Sequence, residues 1–240
     1  MSNMSNNSGL QSGKTRVVEI VGPAGAGKTT LFQALDCYAG SIQLGNFPDV
    51  RKVTEAPFFI SNGLRLIPNL LRLYRPDSRQ LTRREFAWMS ILNGWSARLR
   101  KESNGGNKVI ILDQGPVYLI TEMRLFGPGY LRQKSAERLW QSLYECWSST
   151  LDMVVWLDAA DDVLLGRIRT RQQEHIVKTQ PAPVVYEFLG RYRTEYESIL
   201  SILTAKNTDL KVLKFDSRQL QPQDILNQFL AGLNYCTERK

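Results

Sequence analysis

The sequence predicts an α/β protein in which helices cover both faces of a parallel sheet. Four apolar runs are continuous rather than alternating, as is typical of parallel strands buried on both sides. They span residues 17–21, 109–112, 153–157 and 211–215. Helical stretches separate these runs, and regular alternation of strand and helix indicates a doubly wound sheet. The chain has 240 residues without repeats or a long linker, so we expect one domain over residues 15–240.

The remaining elements follow in chain order. The first strand leads through a glycine-rich turn into a helix predicted from Thr30 to Tyr38, and a weaker fifth strand is predicted over residues 50–54. Thr82 and Glu85 match the capping-box pattern at the start of the next helix. Further helices are predicted over residues 82–100, 134–150, 160–174, 183–203 and 222–235.

The glycine-rich turn matches the phosphate-binding pattern G-x-x-x-x-G-K-[ST] at every specified position. Its glycines let the backbone curl so that successive N–H groups point at phosphate oxygens. Lys28 would reach the β- and γ-phosphates, the Thr29 hydroxyl would ligate Mg²⁺, and the following helix would direct its positive end at the anion. We expect the nucleotide to contact Gly22, Ala24, Gly25, Ala26, Gly27, Lys28, Thr29 and Thr30.

Two carboxylates at predicted strand ends are candidate catalytic groups. Asp113 follows the strand 109–112, where a Walker-B carboxylate would hold the hydrated Mg²⁺ together with Thr29; a helix N-cap or turn residue is the alternative. Glu55 ends the weak strand, just before Pro57, and could take a proton from an acceptor hydroxyl, although a surface loop would equally well carry it.

Arginines dominate two other segments. Arg167 and Arg171 share a helix face in Arg-Ile-Arg-Thr-Arg, where they could neutralise a transferring phosphoryl group from a mobile lid over about residues 167–182. A solvated basic helix face is the alternative. Arginines between residues 65 and 84 accompany Leu64, Ile67, Leu70, Leu71 and Tyr74 at helical spacing. Here a core-facing amphipathic helix with a solvated basic side is favoured over an acceptor site, an acidic partner or a membrane surface.

The overall composition indicates which ligands, locations and metal centres the protein could have. Lys and Arg total 31 against 23 Asp and Glu, a formal charge of +8 that suits anionic ligands without identifying them. No apolar run approaches the roughly 18 residues of a membrane span. Residues 1–14 are rich in Asn, Ser and Gly and are predicted to be a disordered tail. Three scattered cysteines and one histidine favour a cytoplasmic, reducing location and exclude a multi-histidine metal centre.

Three segments, and more weakly a fourth, resemble the thymidylate kinase and deoxynucleoside kinase branch of the P-loop kinases. They are the loop 22–29, the strand and arginine helix 154–171, the stretch 214–219, and Thr54-Glu55-Ala56-Pro57. The resemblance implies a three-layer P-loop NTPase fold with a five-stranded parallel sheet and a short arginine-rich lid. It also implies an ATP·Mg²⁺ donor, in-line transfer of the γ-phosphoryl group, and a lid that closes with Arg167 and Arg171.

One position departs from that family. Where its kinases usually have Asp-Arg after the third strand, this chain has Asp113-Gln114, and in thymidylate kinases that arginine contacts the acceptor's phosphate. The change weakens the case for a nucleoside monophosphate, although Arg72 or Arg124 could substitute. Our leading hypothesis is therefore a small-molecule kinase acting on a nucleoside, a nucleotide or another hydroxyl or phosphate acceptor.

Two hypotheses from other classes stand beside it. One is a P-loop ATPase or regulatory nucleotide switch without a dedicated acceptor, and the other, less favoured, is a nucleic-acid-binding protein that uses the basic surface. The expected partners are ATP and a small acceptor, with no nucleic acid and no membrane span, and a homodimer stays open.

Overall fold

The computed structural model describes residues 15–35, 42–102, 108–220 and 222–235. The predicted tail over residues 1–14 and the predicted helix end at Tyr38 lie outside the described residues. No helix in the described ranges combines the length and the hydropathy needed to cross a bilayer.

A parallel sheet of five strands forms the middle layer, as predicted. Its strands are β1 (Arg16–Val21), β2 (Ile42–Leu44), β3 (Val109–Leu112), β4 (Met153–Asp158) and β5 (Lys211–Asp216). The strands lie in the order β2-β3-β1-β4-β5, and Val18 of β1 pairs with Ile111 on one side and Met153 on the other. The chain order therefore reverses beside β1, and in open α/β sheets ligands bind at that point, outside the carboxyl ends of the strands.

The position predicted for the fifth strand is wrong. Residues 53–55 form a short 3₁₀ turn that leads into a helix, and the edge strand is Ile42–Leu44. Pro57, which we read as ending a strand, instead lies in the first helical turn, where the amide hydrogen that proline lacks has no intrahelical partner anyway.

Eight α-helices occur in the described residues and make up the two outer layers. They are α1 (Lys28–Leu35), α2 (Ala56–Leu73), α3 (Arg83–Glu102), α4 (Pro116–Phe126), α5 (Glu137–Ser148), α6 (Asp161–Thr170), α7 (Ala182–Lys206) and α8 (Pro222–Tyr235). The capping box of α3 is confirmed, because the Thr82 hydroxyl accepts from the Glu85 amide and the Glu85 carboxylate accepts from the Thr82 amide. Helix α4 is absent from the sequence prediction, and α6 ends at Thr170 rather than at residue 174.

The apolar core fills both sides of the sheet. One cluster packs α3, α4, α5 and α7 against one face, around Trp95 and Trp147, whose ring centroids lie 6.1 Å apart. The other cluster packs α1, α6 and α8 against the opposite face, around Ile20, Val155 and Phe229. The three-layer arrangement is thus confirmed, with the carboxyl ends of the strands left open for a site.

Helix α2 does not match the favoured core-facing interpretation. Its buried residues are Asn62, Gly63, Leu66 and Leu73. The predicted core positions Leu64, Ile67, Leu71 and Tyr74 are instead exposed. The helical spacing of the apolar residues in α2 was predicted correctly. However, the helix packs on the core through a different face from the predicted one.

Candidate active site

The phosphate-binding loop leaves β1 in a conformation that requires glycine. Gly25 and Gly27 have φ angles of 82° and 96°, which side-chain-bearing residues rarely adopt. At Gly22 a Cβ atom would lie 2.2 Å from the Leu157 carbonyl oxygen. These glycines explain how the loop can turn sharply between β1 and α1 while remaining packed on β4.

Lys28 lies under the loop at the start of α1. Its Nζ donates to the carbonyl oxygens of Gly22 at 2.6 Å and Pro23 at 3.1 Å. Burial lowers the pKa of Lys28 to about 8, while the nearby charge of Asp113 opposes the shift and that of Arg171 adds to it. A buried ammonium group within electrostatic reach of both an acid and an arginine suits the binding of a phosphate tail.

A cleft of about 980 Å³ opens over this loop. Its lining comes from the phosphate-binding loop, the ends of β3 and β4, the helices α4 and α7, the turn after β5, and the arginine segment over residues 167–175. The lining residues are Gly22, Ala24, Gly25, Ala26, Gly27, Lys28, Thr29, Thr30, Leu31, Asp113, Gln114, Tyr118, Leu157, Arg167, Arg171, Gln172, Gln173, His175, Phe188, Tyr192, Tyr196, Ser217, Arg218, Leu220 and Ile225. Every residue predicted from the phosphate-binding loop is among them.

Thr29 and Asp113 offer oxygen ligands on the same cleft. Burial raises the pKa of the Asp113 carboxyl, and the Lys28 charge pulls it back down. No group of three or more His, Cys, Asp and Glu side chains in the described residues could hold a metal ion unaided. A hydroxyl and a carboxylate fit Mg²⁺, which in nucleotide sites keeps waters and shares phosphate oxygens rather than needing a full set of protein ligands.

The two predicted arginines both line the cleft, but they differ in their hydrogen bonding. Arg167 donates to the Ser217 hydroxyl at 2.8 Å, the Ser217 carbonyl at 2.9 Å and the Gly25 carbonyl at 3.2 Å. Arg171, just beyond the last turn of α6, has a buried Nε atom with no hydrogen-bond partner in the described structure. Arg169 turns away and donates to the Gln180 carbonyl. Arg171 therefore has bonding capacity left for a ligand.

The turn that carries this arginine segment is held by Arg193 of α7. Its guanidinium pairs with Asp158 at 2.7 Å and with Asp161 at 2.5 Å, and it also donates to the Ala159 carbonyl. Asp158, at the end of β4, is therefore engaged in this ion pair, and it does not line the cleft. The network fixes α6 relative to β4 and so sets where Arg167 and Arg171 point.

Glu55 is the predicted site residue that the cleft lining does not include. Its carboxylate pairs with Arg98 of α3 at 2.6 Å, at the junction of the 3₁₀ turn and α2. The base role given to Glu55 rested on a strand end that does not exist. Its observed contact ties α2 to α3.

Sequence reasoning missed the aromatic end of the cleft. Tyr118 of α4 and Tyr192 of α7 both line it, and both hydroxyls bond to the Glu122 carboxylate behind them. Burial raises the pKa of Glu122 and of Tyr118, the latter above its usual range. Phe188 lies 4.9 Å from Tyr192 between ring centroids and contacts His175 edge-on. Only the spacing of Phe188 and Tyr192 along α7, four residues apart, could have signalled this wall.

A second missed residue is Glu19, which is fully buried within the apolar run of β1. Its carboxylate accepts from the amides of Val117 and Tyr118, each at 2.9 Å, and from the amide of Gly115. Burial raises its pKa to about 8 against the opposing effect of these hydrogen bonds. Glu19 thereby caps α4, whose own N-cap residue, Gly115, has no side chain to do so.

Neither arginine suggested as a replacement for the one missing at Gln114 lines the cleft. Arg124 pairs with Glu195 at 2.8 Å and donates to the Tyr144 hydroxyl. Arg72 lines a separate groove between α2 and α5. The cations in the cleft lining are Lys28, Arg167, Arg171 and Arg218.

The loop after β1, the strand order and the arginines at the end of α6 define a P-loop NTPase fold of the kinase type. No protein-family model matches the chain, and no curated protein matches its sequence. Among solved structures, deoxyadenosine kinase from M. mycoides with dCMP and dCDP is 18% identical, with a TM-score of 0.51, over 91% of this chain and 99% of that one.

Two further structures are similar. The same M. mycoides enzyme with bound dATP is 16% identical over 91% of this chain and 99% of that one, with a TM-score of 0.49. The YorR protein of Bacillus subtilis, in complex with phosphorylated GDP, is 17% identical over 91% and 97%, with a TM-score of 0.47. Of the three structures, the M. mycoides enzyme with dCMP and dCDP, at a TM-score of 0.51 and 18% identity, supports the fold alone.

Proposed function

We propose that this protein is an ATP-dependent small-molecule kinase that transfers the γ-phosphoryl group of ATP to a hydroxyl of a small acceptor. One observation carries the proposal: Lys28, Thr29, Asp113 and Arg171 line a single cleft that is also lined by the aromatic side chains of Tyr118, Phe188 and Tyr192. The loop end suits a triphosphate, and the aromatic end suits an organic acceptor.

Each residue then has a role that its surroundings support. Loop amides and Lys28 bind the phosphate tail, and Thr29 and Asp113 would hold Mg²⁺, which when bound offsets phosphate charge. Arg171, whose Nε has no hydrogen-bond partner in the described structure, would direct its guanidinium at the phosphoryl group as the charge on that group spreads. Arg167 holds the loop against Ser217 and so supports the nucleotide end.

For the acceptor proton, the geometry favours Asp113 over Glu55. Asp113 lines the cleft, where an acceptor hydroxyl could reach its carboxylate. Glu55 is neutralised by Arg98 outside the cleft lining.

The charges of the cleft favour an acceptor without a phosphate group. Lys28 and Arg171 lie within electrostatic reach of each other at the loop, and Arg167 is bonded to Ser217 in the turn that also carries Arg218. The aromatic end offers Tyr118 and Tyr192, backed by the carboxylate of Glu122. A phosphate placed there would meet the carboxylate of Glu122, whose charge is only partly offset by Arg84 from outside the cleft lining. A nucleoside is our best single candidate, followed by a sugar or another alcohol.

The experiment that tests the proposal is ADP release by the full chain with MgATP, with and without a panel of nucleosides, nucleoside monophosphates and sugars. We expect turnover that depends on a neutral acceptor. Turnover of equal rate without any acceptor would assign the protein to the ATPase or switch class instead. Turnover that requires a nucleoside monophosphate would overturn the charge argument but keep the kinase.

The proposal includes a cytosolic location, where ATP and reducing conditions coincide. It includes no nucleic-acid partner; steeply salt-dependent binding to DNA or RNA with little turnover would contradict it.

A further inference from the structure

Helix α2 exposes a stripe of large aliphatic side chains that the protein's own core does not use. Ile60, Leu64, Ile67 and Leu71 are 62%, 61%, 40% and 69% exposed. Their spacing of four, three and four residues places them on one side of the helix over three turns. These four residues are called the α2 stripe below. Tyr74, which follows the helix, is also half-exposed and extends the stripe by one turn.

The α2 stripe stays exposed because a different side of α2 packs on α3. On its inner side, Gly63 approaches the ring of Phe86, and Asn62 fits against Gly94 so closely that a Cβ there would clash. Leu66 and Leu73 complete this contact with the core around α3. Because the inner face is already packed, α2 cannot roll to bury the stripe without losing these contacts.

The charges on α2 itself are all positive, and cations outnumber acids next to it. Helix α2 contains no acidic residue, and Arg65 and Arg72 flank the stripe on the helix side away from the core. Arg51 and Lys52 precede the helix, and Arg75 follows it, all exposed. Three acids lie near the helix in sequence: Glu55, which is paired with Arg98, and Asp49 and Asp77, which lie beyond the basic residues at either end.

The basic flank continues into a groove between the end of α2 and the start of α5. This groove has a volume of about 540 Å³, and its charged lining residues are the cations Arg72, Lys134 and Arg138 and the acid Glu137. It would accept a group of the size and charge of a lipid phosphate, close to where the aliphatic stripe would enter the acyl region. Apolar side chains bordered by arginines are the arrangement by which helices lie in a bilayer interface.

We propose that the α2 stripe and its basic flank bind the surface of a bilayer containing anionic lipids, with α2 lying parallel to the membrane plane. A second copy of the chain fits less well, because antiparallel two-fold packing of α2 on α2 would oppose the arginine flanks without an acid from either helix. Residues 1–14 offer only Met1, Met4 and Leu10 as large apolar side chains to cover the stripe. This inference goes beyond the proposed kinase activity and does not depend on it.

The test is co-sedimentation of the full chain with vesicles of phosphatidylcholine alone or mixed with phosphatidylglycerol. We expect binding to the mixed vesicles, weaker binding to phosphatidylcholine, and a loss of binding on raising the salt concentration. Leu64→Gln with Leu71→Gln should weaken binding at least about tenfold, because both side chains would otherwise enter the apolar region. Arg65→Gln with Arg72→Gln should weaken it by about fivefold per arginine on anionic vesicles only.

Val184→Gln serves as the matched control, since Val184 is an exposed aliphatic residue on α7 rather than α2. It should bind vesicles as the unmodified chain does, and all variants should keep the same urea unfolding midpoint because the altered side chains are exposed. Equal sedimentation of the Leu64→Gln/Leu71→Gln variant and the unmodified chain would overturn the proposal. So would a dimer in sedimentation velocity that the same variant abolishes, since a second copy would then cover the stripe.

Discussion

Single residues in the cleft differ in whether their hydrogen bonds are already made. Arg167 is bonded to Ser217 and Gly25, whereas the buried Nε of Arg171 has no partner in the described structure. The two arginines were predicted as a pair from their spacing of four residues. From their surroundings we infer separate tasks: Arg167 would hold the loop, and Arg171 would meet the charge that develops during the proposed reaction.

We predict that Arg171→Ala lowers kcat by at least about a hundredfold while changing ATP affinity much less, because its interaction forms mainly in the transition state. Arg167→Ala is the matched comparison and should weaken ATP binding in proportion to its loss of kcat/KM. Steady-state kinetics and nucleotide titration check both. Parallel losses of kcat and ATP affinity in Arg171→Ala would make it an ordinary nucleotide contact.

Tyr192 is the residue that we propose to contact the acceptor. Its hydroxyl donates to Glu122, so its lone pairs remain for a donor group on the acceptor. Tyr192→Phe should raise KM for the acceptor by roughly tenfold, the equivalent of one hydrogen bond, and leave KM for ATP within about twofold. A larger effect on ATP than on the acceptor would mean that the aromatic wall belongs to the nucleotide site.

Glu19 makes stability depend on pH. Its pKa is about 8 in the folded protein against 4.5 for an exposed glutamate, so the folded state holds a proton that the unfolded state has lost across this window. The free energy of unfolding should therefore fall as pH rises from 4.5 to about 8, relative to that of Glu19→Gln, by up to about 1.4 kcal/mol per pH unit. Urea unfolding of both proteins at several pH values measures the difference. A difference that stays constant with pH would contradict the buried, proton-holding glutamate.

At the scale of elements, the junction of β1 and α4 shows why one helix escaped the sequence prediction. Helix α4 has no local N-cap side chain, and its first amides are satisfied by Glu19, which lies 98 residues earlier than Val117. A cap supplied from another strand leaves no signature near the helix. The misplaced β2 has a related cause, because three residues are too few to establish an alternating or continuous apolar pattern.

The same junction gives a steric prediction. A Cβ on Gly115 would lie 2.5 Å from the Glu19 carboxyl carbon, so Gly115→Ala should reduce the free energy of unfolding by about 2 to 4 kcal/mol. Gly190→Ala, in the interior of α7 with open space around it, is the matched control. It should be neutral or stabilising by up to about 1 kcal/mol because alanine favours the helix. Comparable effects of the two substitutions in chemical unfolding would refute the tight packing of Glu19.

At the scale of the whole molecule, sequence patterns predicted the features that depend on residues close together in the chain. Continuous apolar runs gave four of the five strands, and the phosphate-binding loop gave one end of the cleft, because both depend on neighbouring residues. The aromatic end could not be predicted, since Tyr118 and Tyr192 meet at Glu122 only after α4 packs on α7. Periodicity likewise revealed the apolar side of α2 but not which side faces the core.

The basic residues behind the formal charge of +8 lie on two separate surfaces. Lys28, Arg167, Arg171 and Arg218 line the cleft, where they suit a triphosphate, and other arginines flank α2. One basic region would serve catalysis and the other attachment to an anionic surface. The two can be tested independently, because no substitution proposed for α2 alters a residue of the cleft.

The central claim is that the loop around Gly25 and Lys28 encloses a triphosphate, and calorimetric titration with a non-hydrolysable ATP analogue and Mg²⁺ tests it most directly. We predict saturable binding at one site per chain. Lys28→Ala should abolish it while leaving the unfolding midpoint nearly unchanged, since Lys28 bonds only loop carbonyls in the described structure. Absence of binding by the unmodified chain, or undiminished binding by Lys28→Ala, would contradict the account.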